Sequence, residues 1–426
     1  MEQYAQMKNS GVSWIQDVPS DWSIRVLFQL VDQVKNKNKD LAEQNLLSLS
    51  YGRIKRKDIN NPEGLLPESF DGYNIIEADD IVLRLTDLQN DHTSLRVGQA
   101  KERGIITSAY ITLRPSSLVN PQYLYYVVHA YDLIKGFYGM GSGVRQGLNF
   151  DEVKTIKVPF PSMEEQGKIV SFLDDQVDQI DAIIEEAKFS IAGYKKWKTS
   201  IVHEAITKGV NASDKMKKSG ISWIGDIPEL WTIRKIKNGF SIYSGATPKS
   251  DKEEYWDGEI VWITPADYKT DEKYVSGGRR NISDEGYASC NTTIVPAGSV
   301  IFSKRAPVGT VAINTIPLCT NQGCLSCVPN ALADSEYFYY AMSVFTEQFE
   351  LFSSGTTFKE ISASAFENFE LPFPPIMTQK EIASYLSEQC SKIDEIIGEK
   401  QHLIEDMEMY KRSLIYEMVT GKRKVV

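Results

Sequence analysis

The chain has 426 residues, 47 Lys and Arg against 57 Asp and Glu, and a formal net charge of −10. That length allows about two or three domains with sizeable cores. The acidity excludes wholesale coating of a polyanion, so nucleic-acid binding requires basic residues gathered on one face. No apolar run approaches the ~18 residues of a membrane span and no signal-peptide pattern opens the chain. Five cysteines fit a reducing compartment. A cytoplasmic protein without a membrane partner is expected.

The first motif, MKNSGVSWIQDVPSDWSIR at residues 7–25, returns as MKKSGISWIGDIPELWTIR at residues 216–234. Trp14, Pro19 and Trp22 map onto Trp223, Pro228 and Trp231. Large aromatics at fixed spacing read more simply as core packing than as ligand contacts, so each copy is a docking segment leading into a lobe.

The first lobe, residues 23–158, alternates β-like runs at 46–51, 81–85 and 105–113 with turn clusters such as Asn60-Asn61-Pro62. An aromatic helix over 123–137 and a glycine-rich loop, GMGSGVRQGLN at 139–149, follow.

Residues 159–208 then read as one helix. Ile169, Leu173, Gln176, Ile180, Ile183, Ala187, Ile191, Tyr194, Trp197, Ile201 and Ala205 recur in steps of three and four, a narrow stripe for a partner helix. Pro159 and Pro161 delay its start, and Ser162 with Glu165 predicts a capping box. After a polar linker at 209–220 the plan repeats. The second lobe, 232–370, carries Tyr337-Phe338-Tyr339-Tyr340 where the first carries Tyr123-Leu124-Tyr125-Tyr126. SSGTTFKEIS at 353–362 takes the place of the glycine loop.

Adding 213 converts the first long helix into a second, with seam residues Ile382, Leu386, Gln389, Ile393, Ile396, Lys400, Leu403, Met407, Tyr410 and Leu414. So long a period marks duplication of a whole unit rather than a solenoid. The expected architecture is α+β: two mixed α/β lobes in tandem pseudo-twofold repeat, separated by two long helices in an antiparallel coiled coil. The segments are 1–158, 159–212, 213–371 and 372–426. Gln176 and Gln389 are expected to help set helix register.

Catalytic text is missing. There is no GxxxxGK[ST] for nucleotide phosphates. His203-Glu204 begins an HExxH, but position 207 is Thr. No Asp/Asn-Pro-Pro-aromatic run occurs. Asp267 with Asp271, Glu272 and Lys273 reads better as a solvated loop than as a nuclease site, and Cys319, Cys324 and Cys327 better as buried thiols than as zinc ligands. Neither a metal nor a cofactor is expected in this chain.

The polar residues that stand out suit DNA. In lobe one they are Arg53, Lys55, Arg84, Thr86, Asp87, Asn90, Arg96, Arg103, Arg145 and Gln146. In lobe two they are Thr247, Lys249, Thr264, Lys304, Arg305, Asn321, Gln322, Thr357 and Lys359. Arg reaches guanine bidentately, Asn and Gln reach adenine, and glycine loops bring backbone amides close to phosphate.

With these residues in view, the sequence resembles the DNA-specificity (S) subunits of type I restriction-modification systems over nearly its whole length. VPFPSMEEQGKIVSFLDDQVDQID and LPFPPIMTQKEIASYLSEQCSKID resemble the family's repeated helical regions. SGATPKSDKEEYWDGEIVWITPADY, PAGSVIFSKRAPVGTVAI and TNQG resemble one type of target-recognition domain; LSLSYGRIKRKD, DIVLRLTDLQNDHTSLRVG and RGIITSAYITLRP resemble another. SGTTFKEIS fits the family pattern with its basic Lys359, whereas the first loop departs at Arg145-Gln146. The resemblance implies a non-catalytic subunit on double-stranded DNA, each lobe reading half of a bipartite target across a gap set by the helices. It also implies two modification subunits using S-adenosylmethionine and restriction subunits using ATP and Mg. The readings set against it are a coiled-coil adaptor that binds no DNA and a self-contained nuclease or methyltransferase.

Overall fold

A computed structural model describes residues 4–60, 69–140, 147–211, 213–270, 272–305, 307–355 and 359–425. Two compact units emerge. One holds the chain up to Lys188 together with the part from Gln401 onward; the other is Phe189–Lys400. Each unit therefore contains one lobe and a piece of both long helices.

The docking segments fold alike. Strand Met7–Asn9 pairs antiparallel with Asp17–Pro19, and Met216–Lys218 with Asp226–Pro228, in matching register. Trp22 and Trp231 are buried, as their spacing predicted. The next strands close the base of each lobe: Ser23–Val26 pairs with Lys157–Phe160, and Thr232–Lys235 with Glu370–Phe373.

The lobes themselves differ. Lobe one has a four-stranded antiparallel sheet in the order Val31–Gln33, Ile111–Pro115, Ile81–Leu83, Val97–Gln99. The run expected at 105–113 is two strands, Gly104–Ile106 and Ile111–Pro115, because residues 107–110 form a turn. Lobe two has a five-stranded sheet and a separate three-stranded sheet built on Trp256–Ile263. Each lobe contributes one apolar helix, Pro121–Leu133 or Ser335–Val344, to a core shared with the long helices.

The long helices are Met163–Lys208 and Ile376–Val419. At 1.5 Å per residue the first is about 70 Å long. Half of the predicted capping box forms: Ser162 Oγ accepts from Glu165 N at 3.2 Å. The Glu165 carboxylate turns elsewhere, accepting from Trp22 Nε1 (3.0 Å) and Tyr4 OH (2.5 Å).

Within each unit the two helical segments run antiparallel. In the first, Lys411 Nζ lies 2.5 Å from Asp181 Oδ1, and the buried Tyr123 hydroxyl reaches both Pro159 O, just before one helix starts, and Val419 O, where the other ends. In the second, Lys198 Nζ lies 2.6 Å from Asp394 Oδ2, and Tyr337 reaches Pro372 O and Ile206 O.

Ile169, Leu173, Ile180, Ile382, Leu386 and Ile393 are buried, and Ile191 is half-buried. Ala187, Ala205 and Leu414 are buried as well, whereas Trp197 and Tyr410 are exposed, and the predicted seam is off by one at three positions. Ile183 and Leu403 are exposed and Ile396 only half-buried, while Ile184 and Ile397 are buried and Ile404 packs on the core. Residues three and four along a helix share a face, and here the helix buries the i+4 neighbour of the preceding seam residue, Ile184 after Ile180 and Ile397 after Ile393, instead of the i+3 neighbour. Gln176 and Gln389 are half-buried, and the Gln176 amide donates to its neighbour Asp175 rather than across the seam.

Buried register bonds come instead from Gln166 and Gln379, one turn into each helix. Gln166 accepts from Asn120 N (2.9 Å) and donates to Pro161 O (3.0 Å). Gln379 accepts from Asp334 N (2.8 Å) and donates to Leu332 O and Pro374 O, both at 2.9 Å. Asn120 and Asp334 are the N-caps of the two lobe helices, so each glutamine ties a lobe helix to the start of a long helix.

Candidate nucleic-acid interface

In lobe one the strand Ile81–Leu83 runs into a loop at 84–96 that returns as Val97–Gln99. Leu148 N donates to Leu85 O at 3.0 Å, and Thr86 bridges Gly147. A Cβ on Gly147 would stand 2.7 Å from Leu85 O, so glycine permits this approach. The strand end and the last residues of the glycine-rich stretch, far apart in sequence, are thus side by side.

Arg84 is half-buried, Thr86 and Asn90 are exposed, and Asp87 adopts a left-handed φ of 58°. Asn90 Nδ2 donates to Asp87 Oδ1 at 2.7 Å. Among the described residues the Arg84 and Lys55 side chains have no ion-pair partner. Arg145 and Gln146 lie outside the described residues.

Arg96, expected among the contact residues, is fully buried. Its guanidinium donates to Thr86 O (2.9 Å), Asp87 O (3.4 Å), Asp91 O and Tyr138 OH (3.3 Å), and its N–H donates to Asp132 Oδ2 at 2.6 Å. It holds the loop from beneath. Burial pushes the Asp132 carboxyl up to about 6, although the Arg96 N–H opposes this. Sequence reading missed Asp132 and Tyr138, since an acid and an aromatic in a helical stretch carry no mark of a loop 40 residues away.

Two further arginines are engaged within the unit. Arg53 Nη2 lies 3.0 Å from Asp181 Oδ2. Arg103 pairs with Glu43 (3.0 Å) and Glu77 (2.5 Å).

Lobe two brings its predicted segments together more completely. Ala246 N donates to Thr320 O at 3.0 Å, Asn321 N to Ile263 O at 2.9 Å, Lys304 N to Gly323 O at 2.9 Å, and Ile361 N to Lys304 O at 3.1 Å. The last bond is the counterpart of Leu148 N to Leu85 O. Gly245 is required here, because a Cβ would stand 2.2 Å from both Thr320 O and Asn321 O.

On this cluster the Thr247 hydroxyl donates to Gln322 Oε1, and Thr264 Oγ1 donates to Asp267 Oδ2 at 2.7 Å. Asn321 Oδ1 accepts from Gly323 N at 2.8 Å. Lys304 and Arg305 share Glu360 at 3.0 and 3.7 Å, and Lys359 pairs with Glu350 at 3.2 Å. Lys249 is exposed without an ion pair among the described residues, and Thr357 lies outside them. Cys319, Cys324 and Cys327 are buried free thiols; burial pushes the first two up to about 12, so they stay protonated.

Residues 19–191 and 228–406 match the type I restriction modification DNA specificity domain. The chain belongs to this family. Each matched span starts in or beside a docking segment, runs through a lobe and continues into a long helix. Among its relatives, the MjaIX specificity subunit of Methanocaldococcus jannaschii is 38% identical over 188 residues, 43% of each chain. The putative MjaX specificity subunit of that organism is 26% identical across 99% of this chain and 98% of its own. The fold is shared with a chain solved in work on complex assembly and conformational transition of the type I R-M system, at a TM-score of 0.74 and 13% identity, over 95% of this chain and 99% of that one. The HsdS subunit from Thermoanaerobacter tengcongensis aligns at 0.54 and 14% identity, over 95% and 98%. Among the described residues no helix is long and apolar enough to cross a membrane.

Proposed function

We propose that this chain is the DNA-reading member of a type I restriction-modification assembly. Each lobe reads one half of a bipartite duplex target and the paired helices fix the gap between halves. One observation carries the reading. In both lobes, despite different strand layouts, the end of a core strand is hydrogen-bonded to the last residues of the glycine-rich or Ser-Gly stretch, Leu148 or Ile361. Two unlike surfaces built on one frame suit two different half-sites. The sequence specificity domain found in each half supports the same conclusion.

Arg84, Thr86, Asp87 and Asn90 in lobe one face base edges under this proposal, with Lys55 and Arg145-Gln146 on phosphates. Thr247, Thr264, Asn321, Gln322, Lys304 and Arg305 read in lobe two, with Lys249, Thr357 and Lys359 on the backbone. Reactions belong to partners: modification subunits with S-adenosylmethionine, and restriction subunits with ATP and Mg. The assembly works in the cytoplasm, where the DNA is. Much of the positive charge around the duplex comes from those partners, since this chain is acidic.

The test is to co-express the chain with its modification subunits and map methylated adenines genome-wide. A single two-part motif with a fixed gap is the expected result. Methylation without a motif, or a motif of one uninterrupted block, would refute the proposal.

A further inference from the structure

In each unit one basic side chain from the lobe is fastened close to the long helices, in one over a pair of tyrosines and in the other on a helix carboxylate. In lobe two it is Lys273, just ahead of the edge strand Tyr274–Val275. Its ammonium lies 4.7 Å from the ring centroid of Tyr340 and 5.5 Å from those of Tyr339 and Tyr274. It also pairs with Glu336, which accepts from the Tyr274 hydroxyl at 2.9 Å. The Tyr340 hydroxyl accepts from Lys273 Nζ at 3.5 Å and lies near Ser387 and Cys390 of the second long helix.

In lobe one the residue is Arg53, on the hairpin strand Arg53–Arg56. It pairs with Asp181 of the first long helix, which also holds Lys411. Tyr125 and Tyr126, the repeat partners of Tyr339 and Tyr340, sit at this junction. Tyr126 OH donates at 2.6 Å to Asp174, whose repeat partner is Ser387. The Arg53 charge also acts on the Tyr125 hydroxyl.

Neither cation belongs to the duplicated frame. Arg53 comes from an antiparallel hairpin, Lys273 from the approach to a parallel edge strand. Two lobes of different layout have each placed a cation against the long helices near this tyrosine pair, Lys273 over the rings and Arg53 on the helix carboxylate Asp181. A cation over aromatic faces, half out of water, is an attractive contact with a defined direction. Set on the outer part of a lobe, it opposes rotation of that lobe about its short two-stranded base.

We propose that Arg53 and Lys273 are positioning residues that fix the orientation of each lobe on the helices and thereby the stringency of the gap, not the bases read. This rests on the bipartite reading above. The experiment is selection from a duplex pool randomised in sequence, using the chain in complex with its modification subunits, followed by sequencing of retained DNA. Wild type returns two half-sites at one gap. Lys273→Met and Arg53→Met return the same half-site bases, with reads at gaps one base pair off enriched about fivefold, the ratio expected for loss of an ordinary cation–π or ion-pair contact. Lys273→Arg, which keeps a cation over the rings, restores the single gap. Arg53 is largely exposed, so its variant folds even if Lys273→Met does not. Unchanged gap distributions in the Met variants would overturn the proposal, as would loss of base preference at an unchanged gap. A wild-type selection without two half-sites would instead overturn the reading beneath it.

Discussion

Lys411 and Asp181 are joined at 2.5 Å, and the duplication that carries Asp181 to Asp394 and Lys198 to Lys411 produces a second bond, Lys198 to Asp394 at 2.6 Å, with the helices exchanging roles. One pair of residue types, copied once, thus pins the helices in both units. Partly exposed ion pairs contribute modestly, so a double-mutant cycle on Asp181 and Lys411 should give a coupling of about 0.5–1 kcal/mol by denaturant unfolding. Asp181→Lys alone sets three cations together with Lys411 and Arg53 and should cost more than Asp181→Asn. Adding Lys411→Asp should recover most of that loss.

Gln166 and Gln379 should matter more than any seam glutamine. Each is fully buried and serves the backbone N–H of a helix N-cap residue. Replacing either by Ala leaves that N–H and nearby carbonyls unpaired, at about 1–3 kcal/mol each. Gln176→Ala, at a half-buried site whose amide donates to its neighbour Asp175, should stay within about 0.5 kcal/mol. Equal losses for Gln166→Ala and Gln176→Ala in chemical denaturation would contradict this ranking.

These glutamines show where sequence sufficed and where it stopped. The repeat of Gln166 and Gln379 at offset 213 was visible, as were the helices, their antiparallel sense and the doubled frame, because periodicity and duplication are properties of one-dimensional text. Which glutamine is buried was not, because Gln166 and Gln176 both stand three residues from an apolar seam position, and only the packing of a lobe helix over the start of the long helix separates them. In the candidate interface, Leu85 and Leu148 or Lys304 and Ile361 could be proposed as neighbours only through loops already suspected. Arg96 was misplaced because an arginine near a strand end looks the same whether it faces DNA or supports a loop. Only the three-dimensional list of its carbonyl partners separates the two.

Lobe one carries two opposed titrations three residues apart. Burial raises Asp132 to about 6 from its ordinary 3.8 and lowers His129 to about 4 from 6.5. Asp132 is protonated in the fold before it is in the unfolded chain, so its contribution falls as pH rises from about 4 to 6. His129 stays neutral in the fold, so its contribution falls as pH drops from about 6.5 to 4. The two nearly cancel in wild type. Asp132→Asn should therefore make stability fall steeply on acidification through this window, and His129→Gln should make it rise, each by roughly 2–3 kcal/mol. Parallel stability–pH curves for the two variants would show the opposition to be absent.

Arg84 and Arg103 separate reading from scaffolding. Arg103 is held by Glu43 and Glu77, whereas Arg84 has no ion pair among the described residues and stands at the strand end next to Leu85, whose carbonyl accepts from Leu148 N. Arg84→Ala should weaken binding of the complex to its target, with preference relaxed in one half-site by about 1–3 kcal/mol if the contact is bidentate. Arg103→Ala should change stability by no more than about 1 kcal/mol and leave base preference intact. Lys249→Ala should lower affinity on every sequence alike and reduce the salt slope by about one.

Lobe exchange and helix insertion probe the division of labour. Replacing residues 232–370 with another lobe of this family should alter one half of the methylated motif, since the incoming lobe rebuilds the base strand pair against Leu371–Phe373 and offers its own helix N-cap N–H to Gln379, both of which stay in place. Inserting four residues, about one turn, at matched places in both long helices keeps the apolar stripe on its face and should lengthen the gap without touching either half-site. An insertion of two residues rotates the downstream stripe by about 200° and should abolish activity through loss of helix pairing rather than shift the gap. That contrast separates a spacer acting by length from one acting merely as a tether, for which both insertions would leave the motif unchanged.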